Sequence, residues 1–228
     1  MRSEFKGFPR EGLKFLAELD RNNEREWFQA NKERYEAFLL EPARDFVEAM
    51  GTALRRFSKN VNADSRVGGS ISRINRDTRF SMDKRPYKNH LDLYFWEGSG
   101  KSRESPGYWF RLTPKQLILA SGMHRFDPPL LERFRDAVDD EKRGRALARA
   151  IEKTRAAGAE VGGQQYKRVP RGYPADHRHS DLLRHGSLFA WIEQRVPRET
   201  HTAEFPSYCA ERYRKLKPIE DWVAELMA

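Results

Sequence analysis

The sequence predicts an α+β fold in which a central antiparallel β-meander is flanked by N-terminal and C-terminal helices. Three observations carry this. Apolar residues recur at helical spacing up to about residue 58, they alternate at strand spacing between 91 and 121, and the helical period returns from Pro128.

At the start, Leu13, Leu16 and Leu19 share a helical face. Asp20-Arg-Asn-Asn interrupts it, and Asn23 with Glu26 three residues on forms a capping-box-like start for a second helix. Trp27, Asn31 and Tyr35 fall on one face of that helix, with Phe28 beside them; core packing is expected of these rings rather than a cofactor box. Pro42 suits the first turn of a third helix, lined by Phe46, Met50, Leu54 and Phe57.

Residues 60–70 read as loop and 71–77 as a first strand. Leu91, Leu93 and Phe95 alternate with Asp92, Tyr94 and Trp96; Tyr108, Phe110 and Leu112 alternate with Trp109 and Arg111; a further strand runs from Gln116 to Ser121 and closes at Gly122. The connections, Gly98–Gly107 and Thr113-Pro-Lys, are short, which requires antiparallel neighbours. After Pro128, one helix carries Leu130, Leu131, Phe134 and Val138, and a second carries Leu147 and Ile151 and ends near Gly158. Residues 162–180 read as loop. Leu188-Phe-Ala-Trp-Ile is a buried strand or short helix, a helix follows through Leu216, and Pro218 starts a last one. No internal repeat appears, and the 228 residues are read as a single α+β domain, 1–228.

Composition narrows the function classes. The chain holds 43 Lys and Arg against 34 Asp and Glu, a formal net charge of +9, with 38% hydrophobic residues. No stretch has the roughly 20 apolar residues of a membrane span, and no signal-peptide run opens the chain. With Cys209 as the single cysteine, no internal disulfide is possible and a soluble cytoplasmic protein is expected. A lone cysteine in a helical pattern reads as packing.

Charge concentrates between Arg66 and His90, where seven Lys and Arg meet two Asp, a net +5. Arg73, Arg76 and Arg79 repeat every three residues; a turn at Ser81-Met-Asp would return Lys84, Tyr87 and Lys88 towards Arg76 and Arg79. Arg forks bind phosphate or carboxylate bidentately, and clustered cations repel one another without an anion. The candidate ligand-binding set is therefore Arg73, Arg76, Asp77, Arg79, Ser81, Lys84, Tyr87 and Lys88, with Asp77 fixing an Arg. The expected partner is a small phosphorylated or carboxylated ligand. A nucleic-acid interface is the alternative, supported by a net +6 over residues 141–178 and by Tyr94, Trp96, Tyr108 and Trp109 as stacking faces. A solvated face with internal Arg ion pairs, in a structural or partner-binding protein, is the plainest reading. The residues name no catalytic group, no cofactor and no oligomeric state.

Other constellations are weaker. Ser81-x-x-Lys84 has the nucleophile spacing of penicillin-recognising enzymes, but Pro86 would fall inside the required helix. His177 and His179 form the one histidine cluster, with Ser180 and Asp181 suiting a short helix start; neighbouring Arg178 disfavours a metal dication. Gly68-Gly69-Ser70 has the composition of a small anion nest.

Residues Arg73-Ile-Asn-Arg-Asp-Thr-Arg-Phe-Ser-Met-Asp-Lys-Arg-Pro-Tyr-Lys88 resemble the signature of a conserved bacterial and fungal family known as domain of unknown function 2461. Residues 22–35 are similar to its N-terminal signature, and Pro170-Arg-Gly-Tyr173, His177 and Asp181-Leu-Leu-Arg184 resemble its C-terminal part. The likeness runs from about Phe8 to Trp191. It implies a single domain and brings no reaction, cofactor or residue role with it.

Overall fold

The computed structural model describes residues 4–100 and 104–227. Its first helix, α1 (Arg10–Arg21), buries Phe15, Leu16 and Leu19. Two short helices follow, α2 (Arg25–Ala30) and α3 (Lys32–Tyr35). The expected continuous helix is broken at Asn31, whose side-chain amide donates to the Trp27 carbonyl at 2.9 Å. Trp27, Phe28 and Tyr35 nevertheless gather around Phe15 as core, with ring centroids 5.7, 6.4 and 6.0 Å away. Asn23 does not cap α2; Glu24 holds that position without a side-chain bond, and Asn23 is used elsewhere. A π-helical turn (Glu36–Leu40) leads into α4 (Glu41–Arg55), with Pro42 in its first turn and Phe46, Met50 and Leu54 buried.

Five antiparallel strands form one sheet in the order β1-β2-β3-β5-β4. The meander is β1 (Leu91–Trp96), β2 (Gly107–Leu112) and β3 (Gln116–Met123). Its registers place Tyr94 opposite Trp109 and Trp109 opposite Ala120. Residues 101–103 of the expected β1–β2 loop lie outside the described residues. β3 runs two residues past its expected end because Gly122 takes φ +115°; a Cβ there would sit 2.4 Å from the Leu188 carbonyl oxygen of the neighbouring strand. Beyond β3 come α5 (Pro128–Asp139), capped by Asp127, and α6 (Glu141–Ala156), capped by Asp140. Gly158 (φ +83°) follows α6, a left-handed position that stops a helix.

β4 (Glu160–Gln164) falls where loop is expected. Its two glycines and single apolar residue give no alternation to read, and it forms only because the edge of β5 (His185–Arg195) offers free backbone groups. The short α7 (Ser180–Leu183) has His179, not Ser180, at its N-cap. The final segment is one helix, α8 (Phe205–Met227), with Pro218 in its interior instead of at a start. The buried series Cys209, Tyr213, Leu216, Glu220 and Val223 continues through the proline without a change of phase, so packing outweighs the hydrogen bond that proline cannot donate. Residues 71–77 are not a strand either: Ile71 meets β1 and Val67, and Asn75 meets Tyr87, through isolated bridges.

The buried apolar side chains form one cluster. At its centre Phe46 meets Phe110 and Phe205 at 5.1 and 5.3 Å, with Phe8 at 5.4 Å. Residues 91, 93 and 95, with 108, 110 and 112, face this core. Among the described residues no helix is long and apolar enough to cross a membrane.

Candidate functional site

The basic segment is built on the free edge of β1. Ser72 N donates to Asp92 O at 3.0 Å and Tyr94 N to Ser70 O at 2.9 Å, so residues 70–72 cover that edge. The chain then doubles back: Arg76 N donates to Pro86 O and Lys88 N to Ile74 O, both at 2.8 Å. This two-rung base carries a loop, residues 77–85. Asp77 and Asp83 shape the loop by accepting from the backbone N–H groups of Arg79 (3.2 Å) and Arg85 (3.0 Å). At its tip Phe80 and Met82 are 95% and 99% exposed.

Tyr87 anchors the base from behind. Asn23 holds both of its backbone groups, accepting from Tyr87 N at 2.9 Å and donating to Tyr87 O at 3.0 Å. The Tyr87 ring stacks on Phe28 with centroids 4.2 Å apart. The expected ligand contact at Tyr87 is therefore a buried anchor.

Between this segment and the outer face of the sheet lies a groove of about 1130 Å³. Five cations line it, Arg73, Arg76, Arg79, Lys88 and Arg125, against a single carboxylate, Asp77. Thus five of the eight residues chosen from the sequence (Arg73, Arg76, Asp77, Arg79 and Lys88) meet on one surface. Ser81, Lys84 and Tyr87 do not line it. Ser81 N donates to Thr78 O at 3.3 Å in the tip turn, and Lys84 Nζ donates to Thr78 O at 3.0 Å. Ser81 and Lys84 stand on no helix, so the Ser-x-x-Lys geometry does not form.

The cations differ in how they are neutralised. Arg76 pairs with Asp83 at 2.6 Å, and Arg79 with Asp77 at 2.7 Å. Arg79 holds the Asp77 carboxyl down at about 2, and Arg85 with Arg76 holds that of Asp83 well below the usual carboxylate range. Lys88 lies 3.6 Å from Asp92. Arg73 and Arg125 have no ion-pair or hydrogen-bond partner among the described residues. Gly68 and Gly69 reach the groove wall, but the N–H groups of Gly68, Gly69 and Ser70 donate to Ile71, Arg66 and Asp64 carbonyls, so no free anion nest exists there.

The opposite wall is aromatic. Tyr94, Trp109 and His124 come from β1, β2 and the end of β3. The Arg111 guanidinium lies 4.6 Å from the Trp109 ring centre. Arg111 is itself gripped by Asp92 through Nε (2.7 Å) and Nη2 (3.0 Å). His124 packs 4.2 Å from Phe189 and edge-on to Trp109 at 6.2 Å; desolvation there lowers its pKa below the usual imidazole value. Tyr94 donates its hydroxyl to Ser105 O at 2.6 Å. Tyr108, by contrast, faces the core and offers no stacking surface. Arg125 and His124 carry no motif in the sequence; only the β3 register brings them here.

The remaining candidates are structural. His177 pairs with Asp139 at 3.1 Å and accepts from His179 N at 3.0 Å, and the His179 ring lies over Gly144 of α6. Cys209 is fully buried and its thiol pKa is pushed up. Reasoning from residues alone misses one buried polar cluster. Tyr108 hydroxyl donates to Glu220 Oε2 at 3.3 Å, and Ser58 bonds the same hydroxyl. Burial, then a bond with Glu97, raises the Glu220 carboxyl to about 9. The spacing of Glu220 after Tyr213 and Leu216 is the signal that it points inward.

The chain belongs to the family described as Conserved hypothetical protein (DUF2461), whose model matches residues 11–222. The match extends the likeness seen in the motifs through α8 to Trp222. No curated protein matches the chain.

Proposed function

Taking that family membership as the premise, we propose that the protein binds a small phosphorylated or carboxylated ligand in the groove between the 66–90 segment and the outer face of the sheet. One observation carries the reading: Arg73 and Arg125 are guanidiniums without an ion-pair partner among the described residues, and they share the groove with Arg76, Arg79 and Lys88. Arg76, Arg79 and Lys88 stand beside Asp83, Asp77 and Asp92, so the uncompensated charge in the groove is that of Arg73 and Arg125, and an anion between them relieves their repulsion. Arg73 and Arg125 supply free forks for oxygen pairs. Ser72, Asn75 and Thr78 add neutral donors along the same wall. The Arg79–Asp77 pair is exposed, the kind of surface pair that exchanges partners at little cost. Were the bound ligand to react, the cations would stabilise developing negative charge and His124 is the imidazole placed to accept a proton.

The pairing of Arg76, Arg79 and Arg85 with Asp83 and Asp77 fits a purely structural role for those three. Arg73 and Arg125 do not fit it. A second reading, nucleic-acid binding, is favoured by a separate surface. Lys142, Arg143, Arg145, Arg149, Lys153 and Arg155 are all exposed on α6.

Thermal unfolding at fixed ionic strength, with phosphate, pyrophosphate and citrate, tests the proposal. A ligand at 100 times its Kd raises Tm by a few degrees. Arg73→Ala with Arg125→Ala removes the rise and leaves the Tm of the free protein unchanged. Absence of any rise, or a rise that survives both substitutions, overturns the groove as an anion site. Steeply salt-dependent oligonucleotide binding that is lost with Arg149→Glu and Lys153→Glu supports the second reading instead.

A further inference from the structure

We infer that the ligand of this groove carries a planar aromatic ring beside its anionic group, and that its chemical class is a nucleoside phosphate. This rests on the anion-binding reading above and specifies what else the ligand holds. The groove has two unlike halves. Arg73, Arg76, Arg79 and Lys88 come from the doubled-back segment, while Tyr94, Trp109 and His124 come from the sheet. Inorganic phosphate or a small carboxylate uses only the first half. At about 1130 Å³ the groove is also at the upper end of small-molecule sites, far larger than one phosphate group needs.

The ring half is held in place by contacts that serve it. Trp109 lies under the Arg111 guanidinium, and Arg111 is clamped through two nitrogens by Asp92, which is 7% exposed. That chain of contacts fixes one side of the indole and leaves it half-buried beside the groove. Towards the rim the next positions on its face along β2 and β3, Gly107 and Gly122, are glycines, while Trp96 stands on the β1 side, opposite Gly107. His124 then stands edge-on to Trp109, supported from behind by Phe189. A flat ring lying against Trp109 and His124 recovers the apolar contact this wall lacks, and stacking of a base on an aromatic side chain is a strong, sequence-tolerant interaction. Arg125, adjacent to His124 and without an ion-pair partner among the described residues, lines the same groove as Arg73 and Arg76 and supplies a cation from the sheet side for a phosphate attached to such a ring.

The test uses the full chain and isothermal titration at fixed ionic strength with inorganic phosphate, ribose 5-phosphate, the four nucleoside 5′-monophosphates and a short single-stranded oligonucleotide. At least one nucleoside monophosphate is expected to bind ten-fold or more tightly than ribose 5-phosphate. Trp109→Leu is expected to abolish that advantage without changing the affinity for ribose 5-phosphate, and Trp109→Phe to restore part of it. Since Trp109→Leu could disturb the sheet, the unchanged ribose 5-phosphate affinity also reports that the groove is intact. Equal affinity for ribose 5-phosphate and every nucleotide overturns the ring inference while leaving the anion site standing. No binding by any phosphate overturns the anion site and this inference with it. An oligonucleotide that binds more than a hundred-fold tighter than every mononucleotide overturns the free nucleotide in favour of a strand.

Discussion

The two faces of the sheet are made of alternate residues of the same strands, yet they are ordered by different physics. On the inner face Leu93, Phe95, Tyr108, Phe110 and Leu112 have no exposed surface, and Phe110 is wedged against Phe46 and Phe205. On the outer face Tyr94, Trp109 and Arg111 are half-buried; Arg111 and Trp109 are placed by the Asp92 clamp and a cation–π contact, and Tyr94 by its hydroxyl bond to Ser105 O. Inner residues are held by everything around them; outer residues are held from one side. That leaves a shaped surface with its other side open, which is what a binding wall requires.

The difference breaks most visibly under truncation. Phe110→Ala is expected to destabilise the protein by about 3–5 kcal/mol, the cost of a large cavity in a tight core. Its neighbour Trp109→Ala is expected to lose about 1–2 kcal/mol, because the indole is only partly buried and its cation–π contact is worth about 0.5–2 kcal/mol. Urea unfolding midpoints at unchanged m-value measure both. Equal losses would mean that the outer face is packed as tightly as the inner one.

The same contrast explains what could be read from the residues. The meander is legible because its inner face needs apolar residues at every second position. The core helices are legible for the matching reason at period 3.6. β4 is not, since an edge strand with Gly162 and Gly163 draws its backbone bonds from β5 and needs no pattern of its own. Pro218 misleads because proline chemistry favours helix starts, while the buried faces of Leu216, Ile219 and Val223 carry α8 straight through. At the site, Arg73, Arg76, Arg79 and Lys88 are visible as density of charge along the chain. Tyr94 and Trp109 are visible as ring faces, but their side of the sheet is settled by register. His124 and Arg125 are invisible, since nothing local says that the end of β3 reaches the basic segment. Tyr87 reads as a polar group among cations, and its true role depends on Asn23, 64 residues away.

The outer-face clamp gives the next effect in size. Asp92 receives Arg111, His90 (3.2 Å) and Lys88 (3.6 Å). Burial pushes its carboxyl pKa up, but the hydrogen bonds from His90 and Arg111 outweigh it and bring the value to about 2. Asp92→Asn is expected to cost about 2–3 kcal/mol near neutral pH, since three cationic or potentially cationic groups lose their shared partner and Arg111 remains half-solvated. The sign with pH follows from the lowered value. In the unfolded chain the group titrates near 3.8, so its contribution is whole above that pH and is lost as pH falls towards 2. Denaturant midpoints of wild type should drop over that interval more steeply than those of Asp92→Asn. Parallel acid limbs would show that packing, not the clamp, orders the outer face.

Against the inner face, a buried carboxyl on α8 runs the other way. Glu220 is 1% exposed, and burial with the Glu97 contact raises its carboxyl from 4.5 to about 9. Across that interval the folded protein keeps a proton that the unfolded chain releases. The unfolded state therefore binds fewer protons, and stability falls as pH rises, by no more than about 1.4 kcal/mol per pH unit. Glu220→Gln keeps the shape and a donor towards Glu97 while removing the proton to be lost, so its stability should be flatter between pH 5 and 9 and its advantage over wild type should grow with pH. Unfolding midpoints at half-unit steps of pH measure this slope. A wild-type curve as flat as that of Glu220→Gln would mean that water or a cation reaches Glu220, and that the inner face is less closed than its other residues.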